Sequence, residues 1–452
     1  MPKINIRYTL FILFIFLIIT LDPLVKTTLS IILVFVSLRN NPEQTLMAFS
    51  LIQIIAMLNS RIFGYTTPLY TLCRIIITIV PFILFFLRHK SFCINNKIFI
   101  YNTWFSLSIL VINVFNFNNY LLSLSLLKLF LYYSGSSFII LSFSYLKNLK
   151  NILSWLYGLC LNFIFFSIII YFFFYDLGVY HNQWDVAISN LYTGIFIHPN
   201  QVGPVLIPFF ILLLYSHLEK SKLDFSHVLS LVSIVFLVFI SSARGSVVGF
   251  FIAILFTLTI ALVKKKYFIQ IKQLFKKNIH FIFISLIISL FIYQSIMEVF
   301  ISFALKENIN TMSEVDAGEL FYLSRGWRIL MSIENFLQHP LIGIGFGVPT
   351  YPEDLWRILY DPIFNLPISA PVEKSFFFSG ILEEFGLIGT VSFFIFYFKW
   401  TSIIIKNTDS IFTILLFFSI FTLSIFEFQF FSMGNYGFNW LWLGIITRIA
   451  ND

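Results

Sequence analysis

The chain has 452 residues, of which 59% are hydrophobic and only 11% are charged, and its formal net charge is +8. Soluble globular domains contain about 25% charged residues, so this composition excludes an ordinary water-soluble enzyme. The excess of Lys and Arg is typical of the cytoplasmic loops of a membrane protein and gives little support to nucleic-acid binding. Cys73, Cys93 and Cys160 are scattered without a CxxC pair, and they predict neither a disulfide nor a zinc site.

Long apolar runs follow one another along most of the chain. About 20 apolar residues in a helix cross the hydrocarbon layer, because a helix satisfies its own backbone groups there. The second and third runs are short and could form a re-entrant pair, so the number of full spans is 12 to 14. The sequence therefore predicts an all-α, polytopic integral membrane protein, with residues 1–452 as a single membrane domain. The fourteen predicted helices lie at 8–24, 27–38, 45–60, 72–87, 98–116, 121–146, 152–175, 201–217, 226–242, 247–263, 281–299, 376–398, 411–431 and 438–450.

Basic residues indicate the orientation of these helices. Six lysines lie between Lys264 and Lys277, and such a cluster is expected on the cytoplasmic side. Alternation of the spans then places both termini in the cytoplasm. Three lysine pairs fall on the same side, which supports the parity of the span count: Lys147 and Lys150, Lys220 and Lys222, and Lys399 and Lys406.

The same alternation places the polar segments 176–200, 241–246 and 299–374 outside the cytoplasm. The last is the largest polar feature of the chain, with five basic and nine acidic residues, as expected of a translocated loop. We therefore expect any chemistry in these outer segments.

Arg244 lies in the short outer turn SSARGSVVG, between two predicted spans. It could simply anchor a helix end at the membrane surface. The neighbouring glycine and serines, however, leave room for a ligand, and a guanidinium binds phosphate in a bidentate manner. We predict that Arg244 contacts a lipid-linked phosphate.

The long loop contains an amphipathic helix, predicted to begin at Ser324 and to end before Pro340. Arg325 and Arg328 share its polar face because residues three apart are neighbours on a helix. Both could instead contact lipid headgroups from a helix lying on the bilayer. Gly343, Gly345 and Gly347 follow and permit a close backbone approach.

Other outer residues complete the list of candidates. His198, Asn200 and Gln201 could hydrogen-bond sugar hydroxyls, although such a segment is more often a helix cap. Glu373, Lys374, Glu383 and Glu384 lie near the outer end of the twelfth span, where buried carboxylates need a partner or a function. They could neutralise the arginines.

Several chemistries lack their motifs. The sequence has no HExxH helix, no DxD pair, no GxxxxGK[ST] loop and no GxSxG elbow. His181, His198 and His339 are too far apart in sequence to suggest a metal site. We therefore predict no metal and no cofactor.

Taken in order, these segments resemble the O-antigen polymerase and ligase superfamily of bacterial surface-polysaccharide assembly. The segments that carry the resemblance lie within roughly residues 190–400: His198 to Gln201, Ser241 to Gly245, Arg325 to Gly347 and Glu384 to Gly389. The first 190 residues resemble the family only as generic membrane helices.

The resemblance implies a metal-independent glycosyltransferase of the bacterial inner membrane that uses a polyprenyl-pyrophosphate-linked oligosaccharide on the outer face. A departing pyrophosphate needs positive charge, a role that falls to Arg244, Arg325 and Arg328. The implied partners are the lipid-linked oligosaccharide, membrane lipid, a chain-length regulator and a flippase.

One departure concerns the catalytic base. Similar ligases carry a His-Asn pair where this chain has Ser375 and Phe376, so Glu373, followed by His339, is the substitute that we predict. The missing pair favours a polymerase of repeat units over a ligase that transfers finished polymer. A flippase or transporter is the third alternative, although transporters usually show inverted repeats and polar sites at the membrane midplane.

Overall fold

The structure of the protein is a computed structural model, and within the described ranges its regular structure is almost entirely helical. Six helices in these ranges are long and apolar enough to cross a membrane, and five shorter apolar helices accompany them. The predicted all-α, polytopic membrane fold is therefore confirmed. The structure describes residues 6–39, 41–63, 67–116, 122–146, 148–180, 191–220, 225–241, 243–273, 276, 326–351, 359–360, 367–369, 374, 376–425, 430–431 and 437–451.

The helices follow the predicted apolar runs. They are α1 Ile6–Leu21, α2 Pro23–Ser37, α3 Pro42–Met57, α4 Ser60–Phe63, α5 Pro68–Arg88, α6 Lys90–Asn95, α7 Lys97–Phe115, α8 Leu122–Tyr145, α9 Lys150–Phe173, α10 Val202–Lys220, α11 Phe225–Ile240, α12 Arg244–Val263, α13 265–273, α14 Trp327–Gln338, α15 Phe377–Asn407, α16 Ile411–Leu423 and α17 Gly437–Asn451. Two antiparallel pairs of short strands lie between them, β1 Val179–Tyr180 with β2 Leu191–Tyr192 and β3 Leu359–Tyr360 with β4 Pro367–Ser369.

Polar caps explain where several helices begin. Asp22, Asn41 and Thr67 each accept a hydrogen bond from a backbone N–H of the first turn, and a proline follows each of them. The side chain satisfies a donor that has no partner inside the helix, and proline at the first helical position has no donor to satisfy.

Two predicted helix ends differ from the structure by more than four residues. α15 continues to Asn407 rather than 398, because a helix needs no apolar side chains once it leaves the hydrocarbon layer. α16 ends at Leu423 rather than 431, and α14 is described from Trp327 onward. The predicted span 281–299 and Ser324 lie outside the described residues.

The described residues group into two compact units. The first comprises Met1–Asn162, Trp327–Asn407 and Ser424–Asp452. Its centre is α8, which packs against α5, α7 and α17. Buried Asn102 of α7 donates hydrogen bonds to Ser136 and Ser137 of α8 at 2.9 and 3.1 Å, and such polar contacts help to hold membrane helices together.

The second unit comprises Phe163–Gly326 and Thr408–Leu423. Here α12 packs against α16 along much of its length. Gly249 allows this approach, because a Cβ at that position would lie 2.7 Å from the carbonyl oxygen of Thr422.

Candidate functional site

The described site residues fall into two groups, one in each unit. The second unit contains His198, Asn200, Gln201 and Arg244, and the first contains Arg328, His339, Gly343, Gly345 and Glu384. Arg325 and Glu373 lie outside the described residues. The convergence of Arg244, Arg325 and Arg328 therefore stays a prediction.

His198 caps a short 3-10 turn, Pro199–Gln201, which leads into α10. Its Nδ1 atom accepts a hydrogen bond from the backbone N–H of Asn200 at 3.1 Å. This is the helix-cap arrangement that the sequence allowed as an alternative. Gln201 is buried, and its Oε1 atom has no hydrogen-bond partner within the described part of the chain. Sugar binding by this segment stays a prediction.

Arg244 is the first residue of α12, and its side chain lies outside the described part of the structure. Its surroundings are close-packed: Ser246, one turn into α12, lies against Gly203 at the start of α10, where a Cβ would have no room. The fold therefore brings the first turn after the His198–Gln201 segment into contact with the first turn after Arg244.

α14 is amphipathic, as predicted, with its apolar side turned away from the protein. Leu330, Ile333 and Leu337 are 50%, 39% and 67% exposed, whereas Ser332 is buried. Asn335 donates a hydrogen bond to Oε1 of Glu383 in α15 at 2.7 Å. An exposed apolar stripe over a buried polar side is stable when the surrounding medium is lipid.

Arg328 belongs to the polar side of α14, since residues four and seven positions apart share a helix face. Ser332 and Asn335 occupy those positions. The Arg328 guanidinium carbon lies 4.9 Å from the centre of the Trp327 ring, a cation–π distance. His339 follows the end of α14 and is exposed.

α15 is broken at Gly386, whose φ of 60° and ψ of −165° are not helical. In an unbroken helix the carbonyls of residues 383 and 384 would accept from the N–H groups of residues 387 and 388. Instead, the glycine loop, residues 340–347, inserts into the break and pairs with all four groups. The bonds are Ile344 N to Glu383 O at 2.7 Å, Gly345 N to Glu384 O at 3.1 Å, Leu387 N to Pro340 O at 2.9 Å and Ile388 N to Leu341 O at 3.1 Å.

Glycines make this insertion possible. Gly343 has a φ of 65°, and a Cβ there would lie 2.5 Å from the carbonyl oxygen of Glu383. A Cβ on Gly386 would overlap the Leu341 carbonyl, and one on Gly347 would overlap the side chain of Lys128. The close approach predicted for the loop glycines is thus made to α15 and Lys128. Substrate binding by Gly343 and Gly345 stays a prediction.

Beside the break lies a set of buried charges, the ion cluster, formed by Lys128, Asn335, Thr350, Lys374, Glu383 and Glu384. Lys374 and Glu383 are both completely buried, with Nζ 2.8 Å from Oε2. Thr350 donates to the same carboxylate oxygen at 3.3 Å and accepts from Lys374 at 3.1 Å. Both oxygens of Glu383 are therefore bonded.

The second pair of the ion cluster joins α8 to α15. Lys128 Nζ lies 3.3 Å from Oε1 of Glu384, and the two side chains are 22% and 0% exposed. The same ammonium lies 4.5 Å from the centre of the Phe346 ring in the glycine loop. Lys128 is thus the more accessible partner.

Sequence reasoning did not assign Lys128, Asn335 or Thr350 to the site, and it named Lys374 only as a charge near the outer end of the twelfth span. Lys128 carried a usable signal, because an ionisable residue within a membrane span marks a functional position by default. The partners of Asn335 and Thr350 depend on the glycine loop and the break, which no sequence pattern indicated.

Comparison with known proteins identifies one family. Residues 229–394 match the family model described as O-antigen ligase. No curated protein matches the chain. The matched region includes Arg244, α14, the glycine loop and both buried glutamates, and it leaves out His198–Gln201 and Lys128.

Proposed function

We propose that this chain, whose residues 229–394 match the family model described as O-antigen ligase, is a member of the O-antigen polymerase and ligase superfamily and a polymerase of lipid-linked oligosaccharide repeat units. Members of the family are membrane enzymes of the glycosyltransferase type. The observation that carries the proposal is the ion cluster, which lies within the family region except for Lys128, and in which an amphipathic helix and a broken helix surround buried acids and bases. Charges at such a depth are costly and usually serve a function.

The proposed reaction joins two lipid-linked sugars outside the cytoplasm. A hydroxyl of the acceptor attacks the anomeric carbon of the donor, and the polyprenyl pyrophosphate leaves with the bonding electrons. No ATP is available on that side, so the energy of the new bond comes from the donor itself. Negative charge develops on the departing pyrophosphate, and guanidinium groups stabilise it. We assign this role to Arg244, Arg325 and Arg328, without metal or cofactor.

The proposed setting is the bacterial inner membrane, with both termini in the cytoplasm. The lysine-rich segment 264–277 supports this orientation. In this orientation the start of α12 is an outer segment, and so are the glycine loop and the ion cluster. A flippase would deliver the donor to that side, and a chain-length regulator would limit the product.

A ligase is the second candidate, because the matching family model is described as O-antigen ligase. The polymerase is favoured by Ser375 and Phe376, which stand where similar ligases carry a His-Asn pair. Without that pair the chain lacks the histidine base of those ligases.

Deletion of the gene tests the proposal. We expect single repeat units on the surface polysaccharide, seen as loss of the ladder of chain lengths on a gel. A ligase would instead leave polymer on the lipid carrier, and an unchanged ladder would contradict both functions.

Complementation tests the arginines. Arg244→Ala, Arg325→Ala and Arg328→Ala should each fail to restore the ladder. The corresponding Lys variants should restore it only in part, since an ammonium cannot form a bidentate pair. Arg39→Ala, an exposed arginine after the end of α2, is the control and should restore the full ladder. If every Ala variant also restored it, the assignment of these arginines would be wrong.

A further inference from the structure

Two adjacent glutamates of α15 differ in how their carboxylates are satisfied. Glu383 and Glu384 are both completely buried. Glu383 is bonded at Oε1 by Asn335 and at Oε2 by Thr350 and Lys374. Glu384 is bonded at Oε1 by Lys128, and the backbone N–H of Gly347 also interacts with its carboxylate, while its Oε2 meets no hydrogen-bond geometry with any described residue.

An unpaired carboxylate oxygen away from water is unfavourable, because burial removes its hydration without replacing it. In native proteins such an atom calls for an explanation, and a ligand is one. The ammonium of Lys374 forms its ion pair with Glu383. Glu384 Oε2 is thus the one oxygen of the two carboxylates whose partner is missing from the described residues.

Lys128 indicates the direction from which a ligand could approach. Its side chain is 22% exposed although it lies within a span. Gly347 gives it room, since a Cβ there would overlap its Cδ atom. Lys128 is therefore the partly exposed member of the charged pair, whereas Glu384 is completely buried.

We infer that Glu384 is the general base of the reaction, and that its Oε2 binds the attacking hydroxyl of the acceptor sugar. Lys128 is a positioning residue that holds the carboxylate in place and in its charged form. In this step the hydroxyl oxygen bonds to the anomeric carbon, the bond from that carbon to the phosphate oxygen breaks, and the hydroxyl proton moves to Glu384. The inference rests on the proposed function, and it replaces Glu373, which the sequence suggested as the base.

The test uses the full-length protein in lipid nanodiscs with a synthetic polyprenyl-pyrophosphate oligosaccharide. Rates are expressed per folded molecule, measured by size-exclusion chromatography. Glu384→Gln should lower kcat by about 100-fold or more, as for loss of a general base, with the donor KM changed less than about threefold. Glu373→Gln should keep kcat within about threefold of the wild type if Glu384 is the base.

A double-mutant cycle of Lys128 and Glu384 then tests whether Lys128 positions the Glu384 carboxylate or has only a structural role. Lys128→Met should lower kcat about tenfold, and Lys128→Arg should restore most of it, because a cation at that position is sufficient. In the Glu384→Gln background Lys128→Met should have no further effect on kcat, since the carboxylate that Lys128 positions is gone. Lys406→Met, an exposed lysine at the other end of α15, should match the wild type.

Three results would overturn the inference while leaving the proposed function intact. They are a kcat of Glu384→Gln near the wild-type value, a large loss for Glu373→Gln alone, and additive effects of Lys128→Met and Glu384→Gln. If Glu384→Gln does not fold, Glu384→Asp replaces it: a retracted carboxylate should lower kcat without changing the donor KM, and an unchanged kcat would contradict the inference. A wild-type protein that forms no polymer would contradict the proposed function itself.

Discussion

The ammonium of Lys374 lies 2.8 Å from the carboxylate of Glu383, and neither side chain is exposed. The pair joins the outer segment before α15 to α15 itself. Asn335 and Thr350 also donate hydrogen bonds to the Glu383 carboxylate. α14 and Thr350, which follows the glycine loop, are therefore both bonded to Glu383.

Removal of one partner of this pair should destabilise the protein strongly. Lys374→Met or Glu383→Gln should each lower the free energy of unfolding by about 3–5 kcal/mol, because a buried charge loses its partner. The double variant Lys374→Met/Glu383→Met should lose less than the sum of the two. Denaturation by sodium dodecyl sulfate in mixed micelles measures these differences.

The control is the exposed pair of Lys266 and Asp409, also at a short distance, 3.0 Å. Asp409 is 95% exposed, so solvent screens the attraction and Lys266→Met should cost at most about 1 kcal/mol. Equal losses for the two lysines would show that burial of Lys374 has no energetic consequence.

Gly386 should tolerate no side chain. Alanine there would have to adopt a φ of 60° with a ψ of −165° and would collide with the Leu341 carbonyl. Such a backbone conformation alone costs a non-glycine residue about 1–3 kcal/mol, and displacement of the glycine loop would break four hydrogen bonds. We expect loss of thermal stability and of polymer formation.

Gly158 of α9 is the control position for the Gly386→Ala variant. A Cβ there would lie 3.2 Å from the Thr9 hydroxyl, and the backbone is helical. Gly158→Ala should change the free energy of unfolding by less than about 1 kcal/mol, since alanine also favours the helix. A stable Gly386→Ala protein would mean that the glycine loop does not need its present position.

Most of the helices could be predicted from apolar runs, because hydrocarbon thickness and backbone hydrogen bonding constrain length and composition. The break in α15 could not. Its sequence, LEEFGLIG, reads as a continuous apolar helix, and the break depends on hydrogen bonds to residues about forty positions earlier. The same holds for the site. The position of Glu384 near the end of a predicted span marked it as a candidate, but its pairing with Lys128 depends on the packing of α8 against the glycine loop, which the sequence does not indicate.

Cys93 should react slowly with thiol reagents. It lies in α6, the short helix that connects α5 to α7, and burial raises the pKa of its thiol to about 11. At pH 8 the reactive thiolate should be roughly 100-fold scarcer than for an ordinary cysteine. In a Cys73→Ala/Cys160→Ala protein, the rate of maleimide labelling should rise about tenfold per pH unit from pH 8 to pH 10.

An exposed cysteine introduced by Lys90→Cys, with Cys93→Ala, is the reference. Its labelling rate should level off above about pH 9, where an ordinary thiol is ionised. A Cys93 profile that levels off at the same pH would contradict the raised pKa.

The exposed apolar side of α14 should lie in the membrane. Leu337 is 67% exposed, and after α14 the chain continues to Leu341, which is 60% exposed and accepts a hydrogen bond from the exposed Ile388 of α15. A spin label at Leu330 or Leu337, in a protein whose three cysteines are alanine, should be relaxed strongly by oxygen, which dissolves in lipid, and weakly by a water-soluble nickel chelate.

The comparison position is Gln338, an exposed polar residue of the same helix, where the nickel chelate should dominate. Strong relaxation by nickel at Leu337 would place α14 in water and remove the membrane contact. The predicted result has a chemical consequence, because Asn335 on the other side of α14 is bonded to Glu383. A helix that contacts lipid with one face and the ion cluster with the other would hold those charges at the membrane boundary, the depth at which the proposed lipid-linked pyrophosphate donor would react.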